Sequence, residues 1–244
     1  RKLPITVLVR ALGYGTDLDI VDLLGENERV LSTLQKDVAK TAEEGLLEIY
    51  KRLRPGEPPT VESARQLVNN LFFDSKRYNL AKFGRFKFNK KLSLAARISG
   101  FVAAETVVHP KTGDVIVKED EVIDREKAQL IQNAGINSVY INTGDRKVRV
   151  IGNNTVDISE YLGFDAKDLG IDEKVYLVAL NKILEENKNQ KNIKKAIKSN
   201  LDSLIPMHIT SDDILASINY IVNLNYGIGS TDDIDHLGNR RLRS

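Results

Sequence analysis

The chain has 244 residues, of which 41% are hydrophobic and 29% charged, so its length and composition are those of a globular protein of one or two domains. It contains no cysteine, which excludes disulfides, thiolate metal sites and cysteine nucleophiles and favours a cytoplasmic location. The net charge of +2 is too small to mark a nucleic-acid binder by itself, and no apolar run reaches the roughly 18–20 residues of a membrane span.

Helical patterns dominate the chain up to about residue 73. Apolar residues over 3–12 recur at spacings of three and four, and Gly13 is predicted to end this helix. A second helix is predicted over 17–24, with Asp17 as its N-terminal cap.

Two further helices are predicted on either side of a proline-rich connector. One covers 41–53 and ends at the segment 54–59, whose prolines cannot continue a helix. Thr60 is predicted to cap the other, in which apolar residues over 61–72 follow the i, i+3, i+4, i+7 rule.

The middle of the chain has alternating patterns that are typical of strands. Residues 101–108 and 114–118 are predicted to form one hairpin, and 138–141 and 147–151 a second. The segment 124–134 between the hairpins is predicted to be a capped helix.

The last part of the chain returns to a helical pattern. Helix is predicted over 156–206, although the Lys- and Asn-rich stretch within it is weakly patterned. Ser211 is predicted to cap the final helix, which carries an apolar stripe and ends at the glycine-containing segment 225–229.

These elements predict an α+β fold in which a helical, bundle-like part carries an inserted small subdomain of β-hairpins and a helix. The helical part is expected over 1–98 and the inserted subdomain over 99–206. Residues 207–244 are expected to hold the returning helix and a final polar segment. The chain starts without methionine and stops inside a basic run, which suggests a fragment of a longer protein.

Motifs of common enzyme classes are weak. Gly13 and Gly15 follow a helix and lack the lysine of a phosphate loop, so a helix stop is the favoured interpretation. The histidines at 109, 208 and 236 have no metal-ligand spacing, and no nucleophile elbow occurs.

Basic residues are clustered despite the balanced net charge. One cluster lies within 77–91, a second within 188–198 and a third within 240–243. Each cluster is either a solvated surface or a contact to phosphates, and the pattern leaves both interpretations open.

The segment 232–244 places three aspartates just before three arginines. Asp232, Asp233 and Asp235 could in principle bind Mg²⁺, but the following cations compete for the same carboxylates. An ion-pair network is therefore favoured, with nucleic-acid contact and a metal site as alternatives.

This segment and four earlier stretches resemble the β subunit of bacterial RNA polymerases, in the same order along the chain. The resemblance covers 1–98 and 207–244 closely, whereas 153–200 departs from the family pattern. The four earlier stretches lie within 1–13, 48–60, 72–78 and 84–90.

The resemblance implies the lobe of that subunit, which forms one wall of the downstream DNA channel opposite the β′ clamp. The expected partners are DNA, the β′, α and ω subunits, the remainder of β, and sigma and elongation factors, with no membrane. The enzyme is a nucleotidyltransferase, but its Mg²⁺ is held by β′, so this fragment is expected to bind no cofactor and to be non-catalytic.

The family also implies site residues. The positions of Ile234, Asp235 and Arg240 match a pocket for an unpaired guanine of the nontemplate strand. The stretch 77–85 matches a loop that projects toward the clamp, where Arg77, Lys82 and Arg85 are candidate DNA-backbone contacts.

Two other functions remain open at this point. The fragment could serve mainly as a protein-docking scaffold for sigma or elongation factors. It could also be an independent Mg²⁺ enzyme built on Asp232, Asp233 and Asp235, which predicts activity from the fragment alone.

Overall fold

A computed structural model describes residues 2–239 and shows an α+β fold, as predicted. The α-helices of the described residues are α1 Ile5–Ala11, α2 Asp17–Leu24, α3 Glu28–Lys36, α4 Ala42–Leu53, α5 Val61–Val68, α6 Ala81–Leu92, α7 Leu94–Ile98, α8 Arg125–Asn133, α9 Leu177–Glu186, α10 Gln190–Ser199, α11 Leu201–Leu204 and α12 Ser211–Asn223. The strands are β1 Val102–Ala103, β2 Val107–Val108, β3 Val115–Val117, β4 Ser138–Thr143, β5 Arg146–Ile151, β6 Thr155–Val156 and β7 Val175–Tyr176.

Threonine hydroxyls cap several of these helices. Thr60 caps α5 as predicted, but Thr16 and not Asp17 caps α2, and Thr210 and not Ser211 caps α12. In the two corrected caps the threonine hydroxyl accepts a hydrogen bond from the third helical residue, an aspartate, whose carboxylate accepts one from the threonine N–H. This reciprocal pairing satisfies two backbone donors at once and so selects the threonine.

The helices α1 and α4 cross closely, and a buried polar network lies at the end of α1. The Arg10 side chain is fully buried and donates from Nε to Asp37 Oδ2 at 2.9 Å. Thr6 donates to the same oxygen at 2.6 Å, and Asp17 pairs with the Arg10 guanidinium from the surface. The network ties α1 to the start of α2 and to the segment after α3.

Arg10 makes the stability of this region sensitive to acid. Its hydrogen bond to Asp17 holds the pKa of that carboxyl below its ordinary value of 3.8. Because the folded-state pKa is the lower one, the carboxylate stabilises the fold above about pH 4 and loses this contribution as the pH falls through the folded pKa.

We therefore expect Asp17→Asn to be less stable than the wild type at pH 7, and we expect this difference to shrink as the pH falls below about 4. Urea unfolding followed by far-UV circular dichroism across this range measures the difference. Glu62→Gln, at an exposed position on α5, is the control, and its free energy of unfolding should vary with pH as that of the wild type does. A difference in unfolding free energy between Asp17→Asn and the wild type that stays constant across this pH range would contradict the expectation.

A three-stranded antiparallel sheet in the order β1-β4-β5 forms the centre of the inserted subdomain. The predicted β4–β5 hairpin is confirmed, and Gly144 supplies the positive φ that its two-residue turn requires. The predicted hairpin of 101–108 with 114–118 is confirmed only where β2 pairs with β3, because β1, the first part of the predicted strand, pairs with β4 instead. Helix α8 is confirmed, with Asp124 as its cap. Helix α7, on the N-terminal side of the predicted boundary at 98, packs against α8 and the sheet.

The predicted helix over 156–206 is wrong in its first half. Residues 157–174 contain two short 3₁₀ helices, Ile158–Glu160 and Ala166–Leu169, which are capped by Asp157 and Asp165, and Gly170 adopts the left-handed region. Aspartate side chains that bind nearby backbone N–H groups favour such turns over helix. Helix begins only at Leu177, where α9, α10 and α11 close a separate apolar cluster with β6 and β7.

Helix α12 packs on β5 and on α6. Asn219 accepts a hydrogen bond from the Ile151 N–H at 3.0 Å and donates to the Arg149 carbonyl at 3.1 Å. Asn223 donates to the same Arg149 carbonyl at 3.1 Å. Among residues 2–239, no helix is both long enough and apolar enough to cross a lipid bilayer.

Candidate nucleic-acid interface

The segment 229–239 follows α12 and lies against it. The Tyr220 hydroxyl donates to the Ser230 carbonyl at 2.9 Å and accepts from the Ser230 N–H at 2.8 Å. Gly229 sits beneath the same ring, where a Cβ atom would lie 2.6 Å from Tyr220 Cζ, and its φ is +94°. Only glycine fits here, so the start of the segment is fixed on the helix.

Helix α6 holds the segment from its other side. Lys91 Nζ lies 2.6 Å from Asp232 Oδ1 and donates to the Ser230 carbonyl at 3.1 Å. One helical turn earlier, Lys87 Nζ donates to Asn239 Oδ1 at 3.3 Å. The first predicted basic cluster and the acidic segment are therefore brought together.

A turn inside the segment presents two of the predicted site residues to solvent. The Asp235 N–H donates to Asp233 Oδ1 at 2.9 Å, and the Asn239 side chain donates to the Asp233 carbonyl at 2.8 Å. Ile234 is 78% exposed, and Asp235 is exposed as well. Arg240, the third predicted residue of this pocket, lies outside the described residues.

Asp232 and Asp233 have different partners. Asp232 is paired with Lys91, as the ion-pair interpretation predicts. Asp233 accepts a backbone hydrogen bond within the turn. Across residues 2–239, no three histidine, aspartate or glutamate side chains are grouped so that they could hold a metal ion.

Arg77 and Lys82 lie at the surface before and at the start of α6. Arg77 is in a turn, its side chain 65% exposed, with Nε 3.4 Å from Asp74 Oδ2. Lys82 is exposed in the first helical turn. The predicted loop over 77–85 is thus a loop only as far as Leu80, and the rest of it is helix.

Arg85, predicted to contact DNA, is instead directed into the interior and is 2% exposed. It pairs with Asp213 of α12, with Nη2 2.9 Å from Oδ2 and Nη1 3.0 Å from Oδ1. Its Nε and Nη2 also donate to the carbonyls of Pro206 and His208, at 2.6 and 2.5 Å. Because each nitrogen of the Arg85 guanidinium donates inside the fold and the side chain is buried, the structure argues against the predicted contact.

Arg97 of α7 is a second buried arginine, and the sequence analysis missed it. It is 4% exposed, and its Nη1 donates to the Ile151 carbonyl and, at 2.8 Å, to Asn219 Oδ1. Burial lowers the pKa of Arg97 to about 10, so the guanidinium is charged at neutral pH. The sequence did indicate this burial, because Arg97 is a charged residue between Ala96 and Ile98 in an apolar helix.

Arg97 lies at the wall of a cleft of about 640 Å³ bounded by α6, α7, α12 and the segment 229–239. Three lysines of α6 line the cleft, at positions 87, 90 and 91. Beside it on α6, Phe83 and Phe86 are exposed, and Lys87 Nζ lies 5.6 Å from the centre of the Phe83 ring. Exposed aromatic rings among lysines are typical of surfaces that bind nucleic acid.

Comparisons with known proteins agree with the resemblance. The model of the family described as RNA polymerase Rpb2, domain 2, matches residues 1–101 and 170–243. A DNA-directed RNA polymerase subunit beta from Acetivibrio thermocellus is 65% identical over 246 residues, and proteins of the same name from Clostridioides difficile and Clostridium tetani are 60% and 57% identical. Each alignment covers 100% of this chain and 20% of the relative, so the chain spans about a fifth of their length.

Proposed function

The chain belongs to the β-subunit family of bacterial RNA polymerases, and from this premise we propose that it is the lobe that lines the downstream DNA channel of a cytoplasmic polymerase. The polymerase as a whole transfers nucleotides, and this part contributes binding surface, with the catalytic Mg²⁺ on β′. Its partners are DNA, the β′, α and ω subunits, the remainder of β, and the sigma and elongation factors that act on the enzyme.

One observation carries the proposal of a DNA contact: the turn at Ile234 and Asp235 is exposed and is anchored to a basic helix. An unpaired guanine has N–H donors on its Watson–Crick edge, which a carboxylate such as that of Asp235 accepts. The Ile234 side chain offers an apolar contact to the base. Arg240, the residue after Asn239, would stack on the base or donate to it.

Arg77 and Lys82 are proposed as contacts to the DNA backbone. Both are exposed cations on the N-terminal side of α6, away from the end of that helix that holds the acidic segment. Such contacts fix a strand in register without reading its sequence. They are also sensitive to salt because counterions are released on binding.

The test of the base contact is Asp235→Ala in the intact polymerase. We expect the preference for guanine over the other bases at the downstream edge of the bubble to fall by about tenfold, since one good base contact is worth about 1–3 kcal/mol. On DNA whose nontemplate strand has no guanine at that position, the variant should add nucleotides at the wild-type rate. The measurement is the lifetime of promoter complexes that carry each of the four bases at that position.

The matched control is Asp145→Ala, which removes another exposed carboxylate at the β4–β5 turn. It should leave the base preference intact. If Asp235→Ala also leaves the base preference intact, the proposal that this segment contacts the guanine is wrong.

A further inference from the structure

Two phenylalanines of α6, Phe83 and Phe86, are exposed and take no part in the contacts proposed above. We propose that Phe86 is a stacking platform for one base of the nontemplate strand and that Lys90 beside it contacts a phosphate of the same strand. This proposal rests on the proposed function, which supplies the strand. It adds a base contact that does not depend on which base is present.

Five side chains of α6 share one face of the helix, because at about 3.6 residues per turn their positions fall within about 140° of its circumference. They are Lys82, Phe83, Phe86, Lys87 and Lys90. The opposite side of the helix carries Arg85 and Leu92, which are both buried. Packing of that side on the fold therefore turns the two phenylalanines and the three lysines outward together.

The two rings are neighbours on the outer face of α6. Phe83 is 62% and Phe86 57% exposed, and side chains three positions apart on a helix are about 5–6 Å apart at Cβ. Lys87 Nζ lies over the Phe83 ring, 5.6 Å from its centre. Among residues 2–239, no cation and no other aromatic ring lies over the Phe86 ring. Phe86 is therefore the ring that is open to a partner, and adjoining exposed apolar side chains mark an interaction surface.

The charges of this face select a polyanion. Helix α6 contains no acidic residue, and within the described part of the chain no carboxylate forms an ion pair with Lys82, Lys87 or Lys90. Lysine is depleted in protein–protein interfaces, although aromatic residues are enriched there. Rings interleaved with lysines that have no ion pair therefore fit a nucleic acid better than a protein.

An aromatic side chain can stack only on a base whose own face is open. Bases inside a duplex are stacked on each other, so a duplex offers phosphates and base edges but no base face. A single strand offers a base face together with its phosphates, and an aromatic ring stacks on any of the four bases. The outer face of α6 therefore fits a single strand.

The contact of α6 with the segment 229–239 favours the nontemplate strand. Lys87 donates to Asn239 Oδ1 at 3.3 Å, and the same segment holds the proposed contact of Asp235 with a nontemplate guanine. Because α6 anchors this segment, a strand that is bound at the segment lies next to α6.

The test uses the intact polymerase with Phe86→Leu, which keeps an apolar, helix-forming side chain and removes the ring. Promoter DNAs with a pre-opened bubble carry one abasic site at each nontemplate position in turn. At one position we expect loss of the base to shorten the lifetime of the wild-type complex about tenfold and that of the Phe86→Leu complex less than about twofold. Phe86→Tyr keeps a ring and should restore the wild-type cost.

Two controls belong to this scan. Leu130→Ala removes another exposed apolar side chain, on α8, and should show the wild-type cost at every abasic position. The abasic site that replaces the guanine opposite Asp235 should stay costly in Phe86→Leu and lose its cost in Asp235→Ala. The stacking contact and the guanine contact can therefore fail separately.

Lys90→Gln tests the phosphate contact. For single strands, the logarithm of the binding constant falls with the logarithm of the salt concentration by about 0.7 per phosphate contact. We expect Lys90→Gln to reduce this slope by about 0.7 for bubble DNA and Phe86→Leu to leave it unchanged. Lys118→Gln, at an exposed position just after β3, is the control and should keep the wild-type slope.

Equal costs of every abasic site in Phe86→Leu and the wild type would overturn the stacking proposal. A lower melting temperature of the intact Phe86→Leu polymerase would in that case identify another part of the enzyme as the partner of the ring. An unchanged salt slope in Lys90→Gln would overturn the phosphate contact.

Discussion

Replacing Arg85 with alanine is expected to lower the free energy of unfolding of this chain by about 3–5 kcal/mol. Arg85 and Asp213 are 2% and 1% exposed, and their two contacts join α6 to α12. The substitution leaves the Asp213 carboxylate buried without its cation. It also removes the donors to the carbonyls of Pro206 and His208. Urea unfolding at pH 7, followed by far-UV circular dichroism, measures the loss.

Arg77→Ala is the matched control because it removes an arginine of the same stretch at the surface. Its pair with Asp74 is exposed, and such pairs contribute about 0–1 kcal/mol. The double substitution Arg85→Met with Asp213→Asn should recover part of the stability, since it removes the unpaired buried charge and keeps an acceptor for the Thr210 N–H. Equal losses in Arg85→Ala and Arg77→Ala would show that burial of the pair is not the cause.

Gly45→Ala is expected to destabilise the chain by about 1–3 kcal/mol, although alanine is normally the better helix residue by about 1 kcal/mol. A Cβ atom at Gly45 would lie 2.9 Å from the Val7 carbonyl oxygen and 3.0 Å from Arg10 Cβ. Helix α4 would have to move away from α1. The buried contacts of Arg10 with Asp37 would then be disturbed.

Gly163→Ala is the control for this substitution. Gly163 has no atom within 4 Å of a built Cβ and no positive φ, so its replacement should change stability by less than about 0.5 kcal/mol. Urea midpoints of both variants measured at one pH give the comparison. A stabilising effect of Gly45→Ala would mean that the helices separate at little cost.

Local patterns were sufficient for much of the fold. The β4–β5 hairpin, α8 and α5 each have a turn or capping signal within a few residues of a strong apolar pattern, and each was predicted. Helix α6 was missed because it has no side-chain cap, carries many cations and begins at Ala81 with a φ of +56°. Its position depends instead on contacts with α12, which is far away in the sequence.

The sequence could suggest candidate residues for the site but not which way their side chains point. Ile234 and Asp235 are exposed at the segment that the sequence analysis selected. Arg85 and Arg97 point inward because they bind the buried acceptors Asp213 and Asn219. These acceptors lie 128 and 122 positions later in the chain. No local spacing reports such pairings, and an arginine is far more often exposed than buried.

The two asparagines of α12 have a consequence for how the central sheet meets its surroundings. In the order β1-β4-β5, β5 is an outer strand, and outer strands readily recruit strands from other molecules. Asn219 and Asn223 satisfy the outward backbone groups of Ile151 and Arg149 as an adjoining strand would. Side-chain amides of a helix thus terminate the sheet, and this part of its border is closed to the edge-to-edge pairing that leads to aggregation.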